Sequence, residues 1–285
     1  MEGVVRINPK KCVFGVDIDY TVNEFVAKKG VKKLSRIISS ITGVNWRIIY
    51  DELEAISHAV IGKNQTWIAA IERMFDSHVH CVRERLIERL WSTVAKFLLY
   101  MESKGYDPKK LYRQAAKAES AFWEGVGEKS KLYYDAHDFR EVVRSLELPL
   151  FALTSSDART IYRGDVGPHG RIEYEVGHSI RMKHQRLALS GVNELIPPED
   201  IIVSDPFPKE YEGLWHERVF PRYPQRPDRE HWIFLGDTVY DMLAASVAGV
   251  GTRIFLNRHN KPIPAEATHV VYSLTEAAQL VQGLC

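Results

Sequence analysis

The chain has 285 residues, of which 45% are hydrophobic and 26% are charged. This length and composition are typical of about two globular domains and exclude disordered and fibrous architectures. Lysine and arginine total 38 and aspartate and glutamate total 37, which gives a net charge of +1. So balanced a charge gives no reason to expect a nucleic-acid polymer or an anionic membrane as a partner. An anionic ligand would have to be bound by a local group of residues.

The cysteines lie far apart in the sequence, at Cys12, Cys81 and Cys285. No pair has the spacing of a zinc site or of a redox dithiol. No segment reaches the ~18 consecutive apolar residues that a membrane-spanning helix needs. We therefore expect a soluble cytoplasmic protein with reduced cysteines. The spacing of His78 and His80 would suit a metal, and we interpret that pair as incidental.

Short apolar runs that end at a small or polar residue recur along the chain. They predict strands at Cys12–Val16, Leu150–Leu153, Ile201–Val203, Trp232–Leu235, Arg253–Leu256 and His269–Tyr272. Continuous apolar runs are typical of parallel strands covered by helices on both faces. Helical patterns at Met242–Ala248 and Leu274–Gly283 separate the later runs. The sequence therefore predicts an α/β fold with an open parallel sheet.

A long segment without a convincing strand follows the first strand. Its apolar residues recur at helical spacings, notably from Val82 to Met101. Helix starts are predicted near Asp51, Asn64 and Asp107. We therefore predict an α/β core of residues 1–22 and 134–285, interrupted by an all-α domain of residues 23–133.

Two shorter segments interrupt the α/β pattern of the predicted core. Residues Gly170–Met182 predict a β-hairpin that turns at Gly177 and His178. Residues Pro221–Asp228 predict a loop rich in proline and arginine.

The helical segment contains a basic run and several tryptophans. The basic residues are Lys28, Lys29, Lys32, Lys33 and Arg36. A solvated helix face explains such a run, and the functional alternative is that it rims a site entrance and attracts an anionic substrate. We interpret the tryptophans as core residues and not as a stacking platform; they are Trp46, Trp67, Trp91 and Trp123.

Two pairs of acids follow predicted strands. Asp17 and Asp19 project the same way if the backbone stays extended. Asp237 and Asp241 follow Gly236, at positions i and i+4 of a helix start. Four acids in one pocket would raise one another's pKa unless a cation neutralised them. A hard cation such as Mg²⁺ suits oxygen ligands, so the sequence predicts a magnesium site.

The order of these motifs resembles that of the haloacid dehalogenase superfamily. Asp17-Ile-Asp19-Tyr-Thr21 is similar to its DxDxT motif, and Leu153-Thr154-Ser155 is similar to its second motif. Gly236-Asp237-Thr-Val-Tyr-Asp241 is similar to its fourth motif, GDxxxD, and Ala244–Gly251 to the helix that follows. The matched elements cover residues 12–21, 135–157 and 199–257. The resemblance implies a Rossmann-like core with a helical cap of the first class.

The third motif of the superfamily is a lysine, and two positions match it. Lys209 follows the predicted strand Ile201–Val203 and precedes the fourth-motif strand, which is where the superfamily has this lysine. Lys183 precedes the helical stretch His184–Ser190 but lies before that strand. We prefer Lys209 and keep Lys183 as the alternative, because residues 210–231 form a longer segment than a single helix needs.

The resemblance implies a Mg²⁺-dependent phosphatase that acts on a small phosphorylated metabolite. Asp17 would attack phosphorus to form an aspartyl-phosphate, and Asp19 would serve as general acid and base. The substrate phosphate would be bound by Thr154, Ser155 and Lys209. The metal would be held by Asp17, Asp19, Asp237 and Asp241, with Asp19 contributing its backbone carbonyl.

Other activities stay open on the sequence. The dehalogenases of the superfamily lack an acid at the position of Asp19, since a halide leaving group needs no proton, so Asp19 favours phosphate chemistry. A phosphomutase or phosphotransferase would use the same core. A receiver-like signalling domain also combines an acidic cluster with a threonine and a lysine, but the long insertion argues against it. A non-catalytic binding protein is the third alternative.

Overall fold

The computed structural model describes residues 7–60, 93–157, 160–205 and 207–285. The strands are β1 (Phe14–Val16), β2 (Asn23–Glu24), β3 (Lys131–Leu132), β4 (Leu150–Thr154), β5 (Thr160–Arg163), β6 (Arg171–Tyr174), β7 (Ile201–Val203), β8 (Ile233–Gly236), β9 (Thr252–Leu256) and β10 (His269–Val271). The helices are α1 (Ala27–Thr42), α2 (Trp46–Val60), α3 (Thr93–Ser103), α4 (Tyr112–Gly127), α5 (Ala136–Ser145), α6 (Val176–Leu189), α7 (Val192–Leu195), α8 (Glu212–Leu214), α9 (Val239–Val247) and α10 (Leu274–Leu284). Within these described ranges, none of the helices is long and apolar enough to span a membrane.

Six of these strands form one parallel sheet in the order β10-β9-β8-β1-β4-β7. In the centre of the sheet, Phe14 is in register with Leu150 of β4 and with Ile233 of β8. Parallel strands bring their carboxyl ends to the same edge, so the residues after β1, β4, β7 and β8 meet there. The predicted open parallel sheet is confirmed, and each predicted strand overlaps an observed one.

The sheet is covered on both faces, which explains the continuous apolar runs. Successive side chains of one strand enter different hydrophobic clusters: Leu150 of β4 belongs to one, whereas Phe151 belongs to the other. Gly15 of β1 makes room for the second cluster. A Cβ at this position would lie 2.5 Å from the Phe151 ring and 2.6 Å from the Phe234 ring. Burial of these apolar faces holds the strand ends in place.

The chain divides into two compact units. The first comprises Met1–Phe25, Ser130–Ser155 and Leu187–Cys285, and the second comprises Val26–Lys129 and Ser156–Arg186. The sequence pattern predicts that all of residues 134–285 belong to the core. The structure differs because residues 156–186 pack with the second unit.

The second unit combines helices with a two-stranded hairpin. Helices α1 to α4 enclose a cluster of buried apolar residues that includes Leu34, Ile38 and Phe97. Strands β5 and β6 pair antiparallel, with Thr160 opposite Tyr174. Both strands contact α4. The hairpin therefore adds β-structure to a unit that the sequence predicts to be all helical.

The predicted position of this hairpin is wrong. Its turn lies between β5 and β6, where Gly167 and Gly170 adopt positive φ angles of 68° and 67°. Gly177 and His178 lie instead in the first turn of α6. A Gly-His pair suits a turn or a helix start equally well, so the local sequence could not decide between them.

The predicted helix starts are met in part. Helix α2 begins at Trp46, five residues before Asp51. The Asp107 side chain accepts a hydrogen bond from the Lys109 amide at 3.0 Å and caps a 3-10 turn at Pro108–Leu111, directly before α4. The predicted loop at 221–228 begins in a 3-10 turn, Phe220–Arg222. The following predictions lie outside the described residues: Asn64, Trp67, His78, His80, the residues 82–90 of the helical pattern, and Trp91.

Candidate active site

A tight turn follows β1 and fixes the first pair of acids. The Asp17 amide donates to the Leu235 carbonyl at 2.8 Å, so Asp17 still belongs to the hydrogen-bonding pattern of the sheet. The amides of three following residues then turn back onto the Ile18 carbonyl; they are Thr21, Val22 and Asn23. Tyr20 completes the turn with a positive φ of 64°. Asp17 is buried at the strand end, and Asp19 is half-buried in the turn.

The second pair of acids is fixed by the start of α9. The Thr238 hydroxyl accepts from the Asp241 amide, and Asp241 Oδ2 accepts from the Thr238 amide at 3.0 Å and from its hydroxyl at 2.6 Å. This reciprocal capping box begins the helix. Gly236 allows Asp241 to lie against the end of β8, since a Cβ on Gly236 would be 2.4 Å from the Asp241 Cβ. Steric crowding therefore explains why this position of the motif is a glycine.

Three carboxylates and one ammonium group meet at this edge of the sheet. Carboxylate oxygens of Asp17, Asp237 and Asp241 lie within 4.8 Å of one another, and all three residues are buried. Lys209 Nζ donates to Asp17 Oδ1, and to Asp241 Oδ1 at 2.8 Å. The Thr21 hydroxyl lies 3.2 Å from Asp17 Oδ2 and 3.4 Å from Asp237 Oδ1. The structure thus brings together Asp17, Asp237, Asp241 and Lys209 of the predicted site.

The two lysine candidates for the third motif occupy different surroundings. Lys209 follows β7, and its own carbonyl accepts a hydrogen bond from Trp215 Nε1 at 2.9 Å, which anchors its backbone. Lys183 lies on α6 in the second unit, where its Nζ donates to Asp157 Oδ1 at 3.2 Å. Of the two candidates, Lys209 is the one that contacts the strand-end acids of the first unit.

The pKa values of the cluster are shifted by burial and by the excess of acidic over basic side chains. Burial, followed by the charges of the neighbouring acids, raises the pKa of Asp17 to about 8, although Lys209 opposes the shift. Burial and Asp241 also raise the pKa of Asp237. For Lys209, burial disfavours the charged form, but the Asp17 and Asp241 charges outweigh it and raise the pKa above its ordinary value. The ammonium group stays charged, and the carboxylates favour a further cation.

A second lysine, Lys261, was missed by the sequence reasoning. Its Nζ donates to the Asp237 carbonyl at 3.0 Å and to Asp237 Oδ2 at 2.5 Å. Two hydrogen bonds join the residue to Asn257 directly after β9: Lys261 N donates to Asn257 Oδ1 at 2.7 Å, and Asn257 Nδ2 donates to the Lys261 carbonyl at 2.9 Å. Its position after the carboxyl end of a neighbouring strand was the available signal.

The predicted phosphate-binding hydroxyls lie at the end of β4. Thr154 is buried, and its Oγ1 has no hydrogen-bond partner among the described residues. Its carbonyl accepts from the Ser204 amide at 2.9 Å, which joins the ends of β4 and β7. Ser155 follows and is half-buried. A buried hydroxyl with an unused donor can bind an oxygen of a ligand.

The acids fit a hard divalent cation. The buried oxygens within 4.8 Å come from three separate carboxylates, and oxygen-only ligand sets suit Mg²⁺. Each of these carboxylates already accepts hydrogen bonds at both oxygens: Asp17 from Lys209 and Thr21, Asp237 from Lys261 and Thr21, and Asp241 from Lys209 and Thr238. A bound cation would therefore replace some of these contacts. The Asp19 carboxylate is outside this group of three.

Searches for related sequences give no match to a protein-family model or to a curated protein. Solved structures do match over nearly the whole chain. One is a Bacillus subtilis protein described as a HAD-type hydrolase with bound magnesium, at 18% identity and a TM-score of 0.57, covering 95% of this chain and 99% of that one.

Two further matches carry different activities in their names. A HAD phosphatase from Thermococcus onnurineus is 12% identical with a TM-score of 0.51, covering 95% of this chain and 98% of that one. A 2-haloacid dehalogenase from Pseudomonas syringae pv. Tomato is 14% identical with a TM-score of 0.53, covering 96% and 99%. At these identities the likeness concerns the fold, and the fold hosts more than one reaction. The chain has the fold of the haloacid dehalogenase superfamily.

Proposed function

We propose that this protein belongs to the haloacid dehalogenase superfamily as a Mg²⁺-dependent phosphatase that hydrolyses a small phosphate monoester. The observation that carries the proposal is the buried contact of Lys209 with both Asp17 and Asp241. Asp237 lies in the same cluster, and Asp19 follows Asp17 by two residues in the chain. An ammonium group that holds a strand-end carboxylate can also neutralise the oxygens of a phosphoryl group at that carboxylate.

Asp17 is the nucleophile in this proposal. One of its oxygens forms a bond to phosphorus as the bond between phosphorus and the leaving oxygen breaks, which gives an aspartyl-phosphate; water then cleaves it. Lys209 holds Asp17 Oδ1 and Thr21 lies beside Oδ2, so the carboxylate has a fixed orientation. The phosphoryl oxygens carry the charge of the transition state, and Lys209 together with the Thr154 hydroxyl would stabilise it.

Asp19 supplies the proton chemistry. It would protonate the leaving alcohol in the first step and accept a proton from water in the second. The half-buried position of Asp19 in the turn after β1 keeps it partly accessible. A halide needs no proton when it leaves, so an acid at this position favours an oxygen leaving group over a halide.

The residues that would hold the metal are Asp17, Asp237 and the backbone carbonyl of Asp19. When bound, Mg²⁺ supplies positive charge that neutralises both the nucleophile and the phosphoryl oxygens. Lys261 donates to Asp237 and fixes the orientation of that carboxylate. Asp241 keeps Lys209 in place through Oδ1.

The proposal is tested by comparing two substrates with different leaving groups. Release of phosphate from an aryl phosphate and of chloride from a chlorinated carboxylic acid are measured with Mg²⁺ and with excess chelator. We expect phosphate release that the chelator abolishes and no chloride release. Chloride release without phosphate release would overturn the proposal.

Variants assign the roles of the two acids. We expect Asp17→Asn to lower turnover by about 10⁴-fold or more because the nucleophile is lost. Asp19→Asn should be severe for alkyl phosphates and milder for nitrophenyl phosphate, whose leaving group departs without a proton. Asp138→Asn, at an exposed acid on α5, is the matched control and should keep wild-type activity. Equal losses of Asp19→Asn on both substrates would contradict its role as acid.

A further inference from the structure

The second unit contains a cavity of about 510 Å³ whose wall includes four basic residues beside apolar and aromatic ones. It lies between the start of α1 and the start of α2. The charged residues of its wall are Lys28, Lys29, Lys32, Arg47 and Asp51. Trp46 and Tyr50 of α2 supply its aromatic side. Lys28, Lys29 and Lys32 of the basic run therefore line a concave site and do not only form a solvated helix face.

Three cations converge on one indole ring in this region. Lys32 Nζ lies 5.2 Å from the centroid of the Trp46 ring, and the guanidinium carbons of Arg36 and Arg47 each lie 5.5 Å from it. The ring attracts each cation through its quadrupole. The cations repel one another, so the arrangement has an unfavourable term that an anion among them would relieve.

These cations differ from a neighbouring lysine on the same helix. Lys33 Nζ pairs with Glu128 at 3.0 Å and with Glu124 at 3.5 Å. By contrast, none of the five basic residues at the cavity and around the ring pairs with an acid in the part of the chain that the structure describes; these are Lys28, Lys29, Lys32, Arg36 and Arg47. Intramolecular carboxylates thus neutralise the Lys33 side of α1 and leave the cavity side positive.

We propose that this cavity binds a small phosphate-bearing anion with at least two negative charges. Its volume lies within the range of small-ligand sites, about 300 to 1,000 Å³. The guanidinium group of Arg47 suits two-point binding of a phosphate, and the lysines add point charges. Trp46 and Tyr50 provide an apolar wall for the rest of the molecule. This binding is independent of the phosphatase activity proposed for the first unit.

The test is calorimetric titration of inorganic pyrophosphate into the full-length protein in the presence of a chelator. The Lys32→Met/Arg47→Met variant should weaken the binding at least about tenfold, because it removes two of the charges at the ring. A second variant, Lys28→Met/Lys29→Met, changes residues of the same wall that are at least partly exposed and should weaken it too. Lys33→Met is the matched control and should bind like wild type.

A variant of the first unit separates the two sites. Lys209→Ala should leave the pyrophosphate affinity of the cavity unchanged. Pyrophosphate binding that survives both cavity variants but is lost in Lys209→Ala would overturn the proposal, since the anion would then bind only at the strand-end acids. Absence of any binding to wild-type protein would overturn it as well. Quenching of tryptophan emission by pyrophosphate, abolished in Trp46→Phe, is the second expected readout.

Discussion

Two buried lysines, one in each unit, show how differently the same side chain can be used. Lys209 lies at the carboxyl edge of the parallel sheet and donates to Asp17 and Asp241. Lys183 lies on helix α6 and donates to Asp157. Both side chains are almost fully excluded from solvent. Sequence patterns left both as candidates for one catalytic position, and burial does not separate them either.

The difference lies in the partners and in the elements that carry them. The acids around Lys209 are placed by strand ends, where three carboxylates converge and Lys261 adds a second cation. At Lys183 the Asp157 carboxylate accepts from the lysine and, at 2.5 Å, from Arg186. The acid-rich cluster around Lys209 can bind a further cation. The Asp157 carboxylate is already neutralised by two basic side chains, so its contacts stabilise the fold of the second unit. The surroundings of a lysine, and not its burial, therefore indicate its role.

Of the changes that separate the two buried lysines, Lys209→Ala should have the largest effect, and that effect is on catalysis. The variant should lower kcat/KM for an aryl phosphate by about 10² to 10³-fold, which is about 3 to 4 kcal/mol of lost transition-state stabilisation. Steady-state kinetics at saturating Mg²⁺ measures this loss. Lys11→Ala, at an exposed lysine paired with an exposed acid, is the control and should change kcat/KM little. A Lys209→Ala enzyme within several-fold of wild type would refute the assignment.

Lys183→Ala should instead lower stability. Breaking a buried pair is strongly destabilising, and because Asp157 keeps Arg186 we expect the lower end of the range, about 3 kcal/mol. Urea unfolding followed by fluorescence measures the free energy of unfolding. The folded variant should keep kcat/KM within several-fold of wild type. A large kinetic loss with unchanged stability would transfer the third-motif role to Lys183.

A smaller effect is expected from closing the space at the end of β8. In Gly236→Ala, the new Cβ would meet Asp241 at 2.4 Å, so that acid and the lysine it holds must shift. We expect a loss of about 2 kcal/mol in stability, as for other overpacked sites, together with lower kcat. Gly283→Ala in α10 is the matched control. Among the described residues, and apart from Gly283 itself, its chain neighbours and the adjacent backbone of its own helix, no atom lies within 4 Å of the position that the new Cβ would take. Stability should therefore change by less than about 1 kcal/mol. Equal stability and activity of the two variants would show that Asp241 is not held by this contact.

Much of the core could be predicted because each strand is a continuous apolar run with a polar end. Ile201–Val203 coincides with β7, and the other runs overlap β1, β4, β8, β9 and β10 with small shifts at their ends. In a parallel sheet the residue after the run is at the carboxyl edge, so the positions of Asp17 and Asp237 followed from local sequence. The glycine before Asp237 provides the space that Asp241 needs beside the end of β8.

The features that the sequence did not predict depend on contacts between residues far apart in the chain. Lys261 reaches Asp237 across 24 residues, and no periodicity records that hydrogen bond. Residues 156–186 follow β4 directly, yet they pack with the second unit. There the buried Glu119 accepts from the Thr160 amide at 3.0 Å and ties α4 to β5. Such tertiary pairing overrides the local cues that suggested a different hairpin.

The effect that we predict to be smallest, when expressed per pH unit, is the pH dependence of stabilisation by Mg²⁺. Burial, with the neighbouring acids, raises the pKa of Asp17 from 3.8 to about 8 in the metal-free protein. The native state then binds this proton more tightly than the unfolded chain does. The contribution of Asp17 to stability is therefore fully present below about pH 4 and is lost as the pH rises through about 8.

Mg²⁺ should act in the opposite direction because its carboxylate ligands must be ionised. The gain in the free energy of unfolding on adding saturating Mg²⁺ should grow by at most about 1.4 kcal/mol per pH unit up to about pH 8 and then level off. Urea unfolding with Mg²⁺ or with chelator across this range measures it. Asp17→Asn should make the Mg²⁺-induced gain nearly independent of pH. Lys183→Ala should keep the wild-type pH dependence, because Lys183 donates to Asp157 and not to the strand-end acids. If the gain is independent of pH in the wild type, or equally steep in Asp17→Asn, then the acids around Lys209 are not the Mg²⁺ ligands and the contrast between the two buried lysines must have another origin.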